Sequence, residues 1–112
     1  MIEVIYERSI PRVTIKGHAG SGEVGHDLVC AAASILACTL ASRVDGMKDS
    51  ERIQCASVEL NGGDSRISCE PKENYVLAVR LMFDTICAGF DILAQEYPDN
   101  VSFTLVDEEN SI

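Results

Sequence analysis

Residues 53–70 read "IQCASVELNGGDSRISCE", two alternating apolar and polar runs on either side of Asn61-Gly62-Gly63. Side chains of a strand point alternately to opposite faces, so Ala56, Val58 and Leu60 are set to face Ile67 and Cys69. Asn-Gly supplies the unusual backbone conformations that a tight turn needs, and the stretch therefore predicts an antiparallel hairpin. Its one-sided alternation means that only one sheet face is buried.

The flanking sequence supplies the rest of the sheet and its cover. "IEVIYE" (2–7) places Ile2, Val4 and Tyr6 on one side, and "PRVTIKG" (11–17) alternates Val13 and Ile15 with Arg12, Thr14 and Lys16. Two strands joined by a short turn at "RSIP" follow from this period of two. From Asp27 to about Val44 the chain is alanine-rich without Gly or Pro, which predicts a helix, and "DGMKDSE" (45–51) reads as a polar loop. Pro71 suits the first turn of a second helix, running to about Tyr97 and stopped by Pro98 and Asn100. "VSFTLVDE" (101–108) closes the order as ββαββαβ, and the terminal "DEENSI" is expected to fray. The expected fold is α+β: a single two-layer domain over residues 1–112, with a mostly antiparallel sheet and two helices on one face.

In the second helix Glu73, Arg80, Asp84, Asp91 and Gln95 fall in one polar stripe of roughly 60°, leaving most of the circumference apolar. A helix on one sheet face needs a narrower apolar arc. Helix packing within the chain absorbs part of the surplus, and a symmetric homodimer is the economical cover for the rest.

With 112 residues there is room for one core, and with no tryptophan and 5% aromatics it must be aliphatic. A net charge of −9 argues against nucleic acid, whose binding draws on clustered Lys and Arg, and favours a basic peptide or protein as partner. The N-terminus lacks the pattern of a signal peptide, and no apolar run approaches the roughly 18 residues of a membrane span, so a cytoplasmic location is expected. Five cysteines without a C-x-x-C pair read as reduced thiols. Cys38, Cys55, Cys69 and Cys87 sit in apolar or alternating settings and read as small buried hydrophobes.

Cys30 stands apart because of "GHAGSGEVGHDLVCAAAS" (17–34), which holds both histidines ahead of it. With Asp27 as N-cap, Cys30 would occupy the first helical turn, where free amides and the positive helix end favour a thiolate and would hold the oxyanion of an acyl-transfer intermediate. His18, at a strand end, is a partner that would take the thiol proton. Gly17, Gly20, Gly22 and Gly25 would make the intervening segment a flexible loop over a peptide. Spacing alone leaves other readings open: Asp27 as a cap only, Cys30 as core, Ser34 bonded back to a helix carbonyl. A zinc site from His18, His26 and Cys30 lacks a fourth ligand, and a phosphate cradle lacks the lysine of a P-loop, so no metal or cofactor is expected.

Gly17-His18-Ala19, Gly25-His26-Asp27-Leu28-Val29-Cys30-Ala31 and Ser34, together with the ββαββαβ order and "EYPDNVSF" (96–103), resemble the ribosomal-processing cysteine protease family Prp. The resemblance implies a homodimeric endopeptidase that removes a short N-terminal extension from large-subunit ribosomal protein twenty-seven, cutting after an apolar, Phe-rich motif. It implies Cys30 as nucleophile, His18 as general base and acid, and supporting roles for Asp27 and Ser34. Val24 stands where many members carry an aromatic residue, which bears on loop packing and substrate contacts. The rival from another class is a non-catalytic ribosome-assembly module whose glycine loop binds a peptide tail.

Overall fold

The structure is a computed structural model that describes residues 1–18 and 24–107, without the side chains of 24–27. The chain order is β1 (Ile2–Glu7), β2 (Arg12–Lys16), α1 (Val24–Asp49), β3 (Ile53–Asn61), β4 (Asp64–Pro71), α2 (Val76–Glu96) and β5 (Val101–Val106), with a short 3-10 turn at Glu73–Tyr75 before α2. The five strands form one sheet in the order β3-β4-β2-β1-β5. All pairs are antiparallel except β1 with β5, which run parallel. The expected α+β order holds, and the sheet is mixed only at that edge.

The period-two reading also gives the register. Val58 pairs with Ile67 and Ala56 with Cys69 across the hairpin, while Val13 of β2 pairs with Ile67 on the other side of β4. Ile2, Val4, Tyr6, Val13, Ile67, Cys69 and Val101 are buried on the inner face. The opposite face carries Glu3, Ile5, Glu7, Arg12, Thr14, Lys16 and Arg66 around a shallow open depression. Both helices therefore cover one face, α1 over β3 and β4 and α2 over β5. They also pack on each other: Leu36 Cδ2 lies 2.6 Å from where a β-carbon on Gly89 would stand, so a larger residue there would have to displace the Leu36 side chain.

α1 is longer than the composition predicts at both ends. It begins at Val24 rather than Asp27 and continues to Asp49, through most of the segment read as a loop. Val44 and Met47, three residues apart, are both buried, and that gain outweighs the cost of about 1 kcal/mol for Gly46 inside a helix. The helix ends in a left-handed cap: Glu51 has φ 60°, its N–H donates to the Lys48 carbonyl at 3.1 Å, and the Arg52 N–H donates to Met47 at 2.9 Å. α2 starts later than Pro71 predicts. Pro71 is instead the last residue of β4, paired with Ile53, and the helix begins at Val76.

By length and composition the Leu28–Asp49 part of α1 is able to cross a membrane, which corrects the expectation that no such run exists. One face of it is committed elsewhere. Val29, Ala33, Ala37, Leu40, Ala41, Val44 and Met47 recur at helical spacing and are buried against the sheet, the pattern of a core helix. The outer helix faces keep Leu28, Ile35, Leu77, Leu81 and Ile92 exposed.

One polar network ties α2 to β1. Asp84 accepts a hydrogen bond from the buried Tyr6 hydroxyl at 2.7 Å and a two-pronged contact from Arg8, Nε at 3.0 Å and Nη2 at 3.1 Å. Burial pushes the Asp84 carboxyl up, but hydrogen bonds from Arg8 and Tyr6 outweigh this and hold it below the ordinary aspartate value. Burial and the bond to Asp84 together raise the Tyr6 phenol well above its usual range.

Candidate active site

β2 ends at Lys16, and the next residue leaves the sheet in a conformation that glycine favours. Gly17 has φ 93°, its N–H donates to the Gly63 carbonyl at 2.9 Å, and a β-carbon on it would collide with the Met1 carbonyl oxygen. His18 follows at once and is exposed. Opposite it runs α1, whose side chains at positions 30, 33, 34 and 37 share one face by the helical repeat.

These pieces meet in a cavity of about 190 Å³. His18, Cys30 and Ser34 line it, with Ile2, Ala33 and Ala37 forming an apolar wall and Asn61 to Ser65 a polar one. Cys30 is half-buried and packs against the core, while Ser34 is exposed. The structure thus brings together His18 and Cys30, twelve residues apart in sequence, with Ser34 one turn beyond the thiol. An imidazole and a partly accessible thiol lining one cavity, with an apolar and a polar wall, are suited to nucleophilic attack on a carbonyl. No described group of His, Cys, Asp and Glu is disposed to hold a metal ion.

The helix-start argument changes with the longer α1. Counting from Val24, Cys30 is the seventh residue, in the second turn, and Asp27 lies within the helix rather than at its cap. Free amides and the helix-end field are confined to the first turn, so neither acts directly on Cys30. The Asp27 side chain lies outside the described residues, as do Gly20, Gly22 and the His26 side chain; Gly25 falls inside α1. Gly17, read as part of a flexible loop, is pinned between Gly63 and Met1.

The wall that sequence reasoning missed is the hairpin turn. β4 pairs with β2 such that Lys16 faces Asp64, which carries the Asn61–Asp64 turn to the strand end where His18 emerges. The turn was legible as a turn; its place beside His18 depends on β2–β4 pairing, which no local signal announces.

The other thiols divide by position. Cys69 and Cys87 are buried, and burial raises them to about 11 and about 12. Cys38 and Cys55 are exposed, against expectation: Cys38 sits on the outer side of α1 and Cys55 beside a bulge in edge strand β3. All five are free.

Comparison with known proteins bears directly on this cavity. The family model described as cysteine protease Prp matches residues 1–102. The ribosomal processing cysteine protease Prp of Staphylococcus aureus strain NCTC 8325 is 31% identical over 100 residues, covering 89% of this chain and 91% of that protein. Among solved structures, SMU.848 from Streptococcus mutans superimposes with a TM-score of 0.65 at 26% identity, covering 95% of this chain and 92% of the other. The essential ribosomal processing protease Prp from S. aureus, in complex with a covalently linked product peptide, gives 0.69 at 25% identity over 94% and 99%.

Proposed function

The chain belongs to the Prp family of cysteine proteases and is a cysteine-type peptidase, and from that premise we propose that Cys30 and His18 carry its chemistry. The observation that carries the assignment is their meeting in one cavity, from a strand end and a helix, beside an apolar wall. His18 takes the proton from Cys30 Sγ, and the thiolate attacks the scissile carbonyl carbon. The tetrahedral intermediate collapses, His18 returns the proton to the leaving amine, and the acyl group remains on sulfur as a thioester. Water, deprotonated by His18, attacks the thioester; the acid leaves and Cys30 regains its proton. Ser34 contacts the bound peptide or steadies the thiol from the next turn.

The substrate in this reading is the N-terminal extension of large-subunit ribosomal protein twenty-seven, cut after an apolar, Phe-containing motif. Support comes from the S. aureus relatives, which are named for ribosomal processing, and from the net charge of −9, which suits a basic ribosomal protein. Such a role belongs in the cytoplasm. Leu28, Ile35, Leu77, Leu81 and Ile92, exposed on the outer helix faces, support a homodimer built on those faces. No cofactor takes part.

The test is cleavage of a peptide spanning the extension of the same organism's ribosomal protein, followed by mass spectrometry. Wild-type protein cuts once, after the apolar motif, whereas Cys30→Ala and His18→Ala remain folded and leave the peptide whole. Cleavage by Cys30→Ala at the wild-type rate would overturn the nucleophile. Cleavage by the wild type elsewhere than at the extension would overturn the substrate.

A further inference from the structure

Three backbone segments converge beneath His18 with no side chain between them. The Met1 carbonyl lies against Gly17, Gly17 donates its N–H to the Gly63 carbonyl, and Gly63 packs on the His18 ring. A β-carbon on Gly63 would fall 2.5 Å from His18 Nε2, 2.9 Å from Cε1 and 3.3 Å from Cδ2. Gly63 also has φ 78°, so a side chain there meets both backbone strain and the imidazole. The turn therefore holds the residue before the histidine by its carbonyl and lies so close to the histidine ring that no β-carbon fits between. His18 is exposed, and its ring bonds to none of the described residues, so among these it is the packing on Gly63 that restricts the imidazole about its side-chain torsions.

We propose that the β3–β4 turn is a clamp that sets the His18 rotamer, with Gly63 as a positioning residue for catalysis. The proposal rests on the reading of His18 as base and adds an element from a distant part of the chain. A displaced base costs rate without a comparable loss of substrate binding, because the proton transfer depends on its distance and angle while the apolar wall that holds substrate is untouched.

The experiment is imidazole NMR on histidine-labelled protein, with the His18 signals assigned by their loss in His18→Ala, alongside cleavage kinetics. In the wild type a nuclear Overhauser contact joins the Gly63 α-protons to the His18 ring; its absence overturns the clamp. In Gly63→Ala the His18 ring signals move, kcat falls roughly 10- to 100-fold, and KM changes little. Gly63→Asn repeats the measurement with a residue that tolerates positive φ yet still carries the offending β-carbon, separating strain from collision. Unmoved His18 signals in either folded variant overturn the proposal. Moved signals with unchanged kcat also overturn it; a wild-type kcat in His18→Ala would then show that the base assignment itself had failed.

Discussion

Replacing Asp84 by alanine tests how α2 is anchored to the sheet. The carboxylate accepts from the Tyr6 hydroxyl at 2.7 Å and from Arg8 at 3.0 and 3.1 Å. Arg8 and Asp84 side chains are 23% and 32% exposed, and Arg8 keeps Asp107 at 3.6 Å and gains water on losing Asp84, so that ion pair contributes at most about 1 kcal/mol. Tyr6 is 2% exposed, and stranding its hydroxyl costs about 1–3 kcal/mol. Water from the adjoining cavity of about 310 Å³ holds the cost toward the lower end. The sum is about 1–3 kcal/mol, or a fall in Tm of roughly 4–12 °C for a chain of this size. Asp84→Asn keeps an acceptor for Tyr6 and costs less. Adding Tyr6→Phe to Asp84→Ala removes the stranded group and costs nothing further. The sign with pH follows from the shifts. Asp84, depressed in the folded state, contributes fully above its unfolded value of about 4 and loses that contribution as pH falls through the folded one. The Tm gap between wild type and Asp84→Ala therefore narrows in acid. Tyr6 is raised, so its contribution holds below about pH 10 and is lost on further rise. Thermal unfolding by circular dichroism from pH 3 to 8 measures the acid limb. An Asp84→Ala Tm within about 2 °C of wild type at pH 7, or a gap constant down to pH 3, would refute the reasoning.

Iodoacetamide at pH 7, mapped by mass spectrometry, labels Cys30 first and the exposed Cys38 and Cys55 next. Cys69 and Cys87, at about 11 and about 12, hold roughly one thiolate in 10⁴ and 10⁵ and stay unlabelled until the protein unfolds; Cys30 trailing Cys38 would contradict an activated thiol. Phe83 is fully buried and stacks on Tyr6 with ring centroids 6.1 Å apart, so Phe83→Ala costs about 3–5 kcal/mol, seen as a lower denaturation midpoint in urea.

What was legible depended on whether a signal is local. Alternation about Asn61-Gly62-Gly63 gave both the hairpin and its register, because a one-residue slip would turn Val58 and Ile67 out of the core. Helix ends were not legible: Asp27 looks like a cap and Gly46 like a breaker, yet burial of Val44 and Met47 carries α1 through Gly46. Pro71 resembles a helix start but pairs in β4. At the site, His18 and Cys30 were visible as a pair of suitable chemistry. Gly63 was not, since its importance lies in a contact made through sheet pairing.

The position of Cys30 in the second turn of α1 changes where its reactivity must come from. Had it sat in the first turn, the helix end would favour the thiolate whatever His18 did. From the seventh position that field has largely decayed, and among the described residues lining the cavity His18 is the one side chain that can carry positive charge. Thiolate formation at Cys30 is thereby tied to the presence and placement of His18. His18→Ala should then slow Cys30 alkylation at pH 6–7 roughly tenfold, while Cys38 alkylation in the same molecule is unchanged and serves as internal reference. Undiminished Cys30 labelling in His18→Ala would return the activation to the helix and leave His18 only the later proton transfers, to the leaving amine and from the attacking water. A clamp such as Gly63 bears on thiolate formation as well as on the later proton transfers when the thiol leans on one imidazole, because it then has no second support when that ring is turned away.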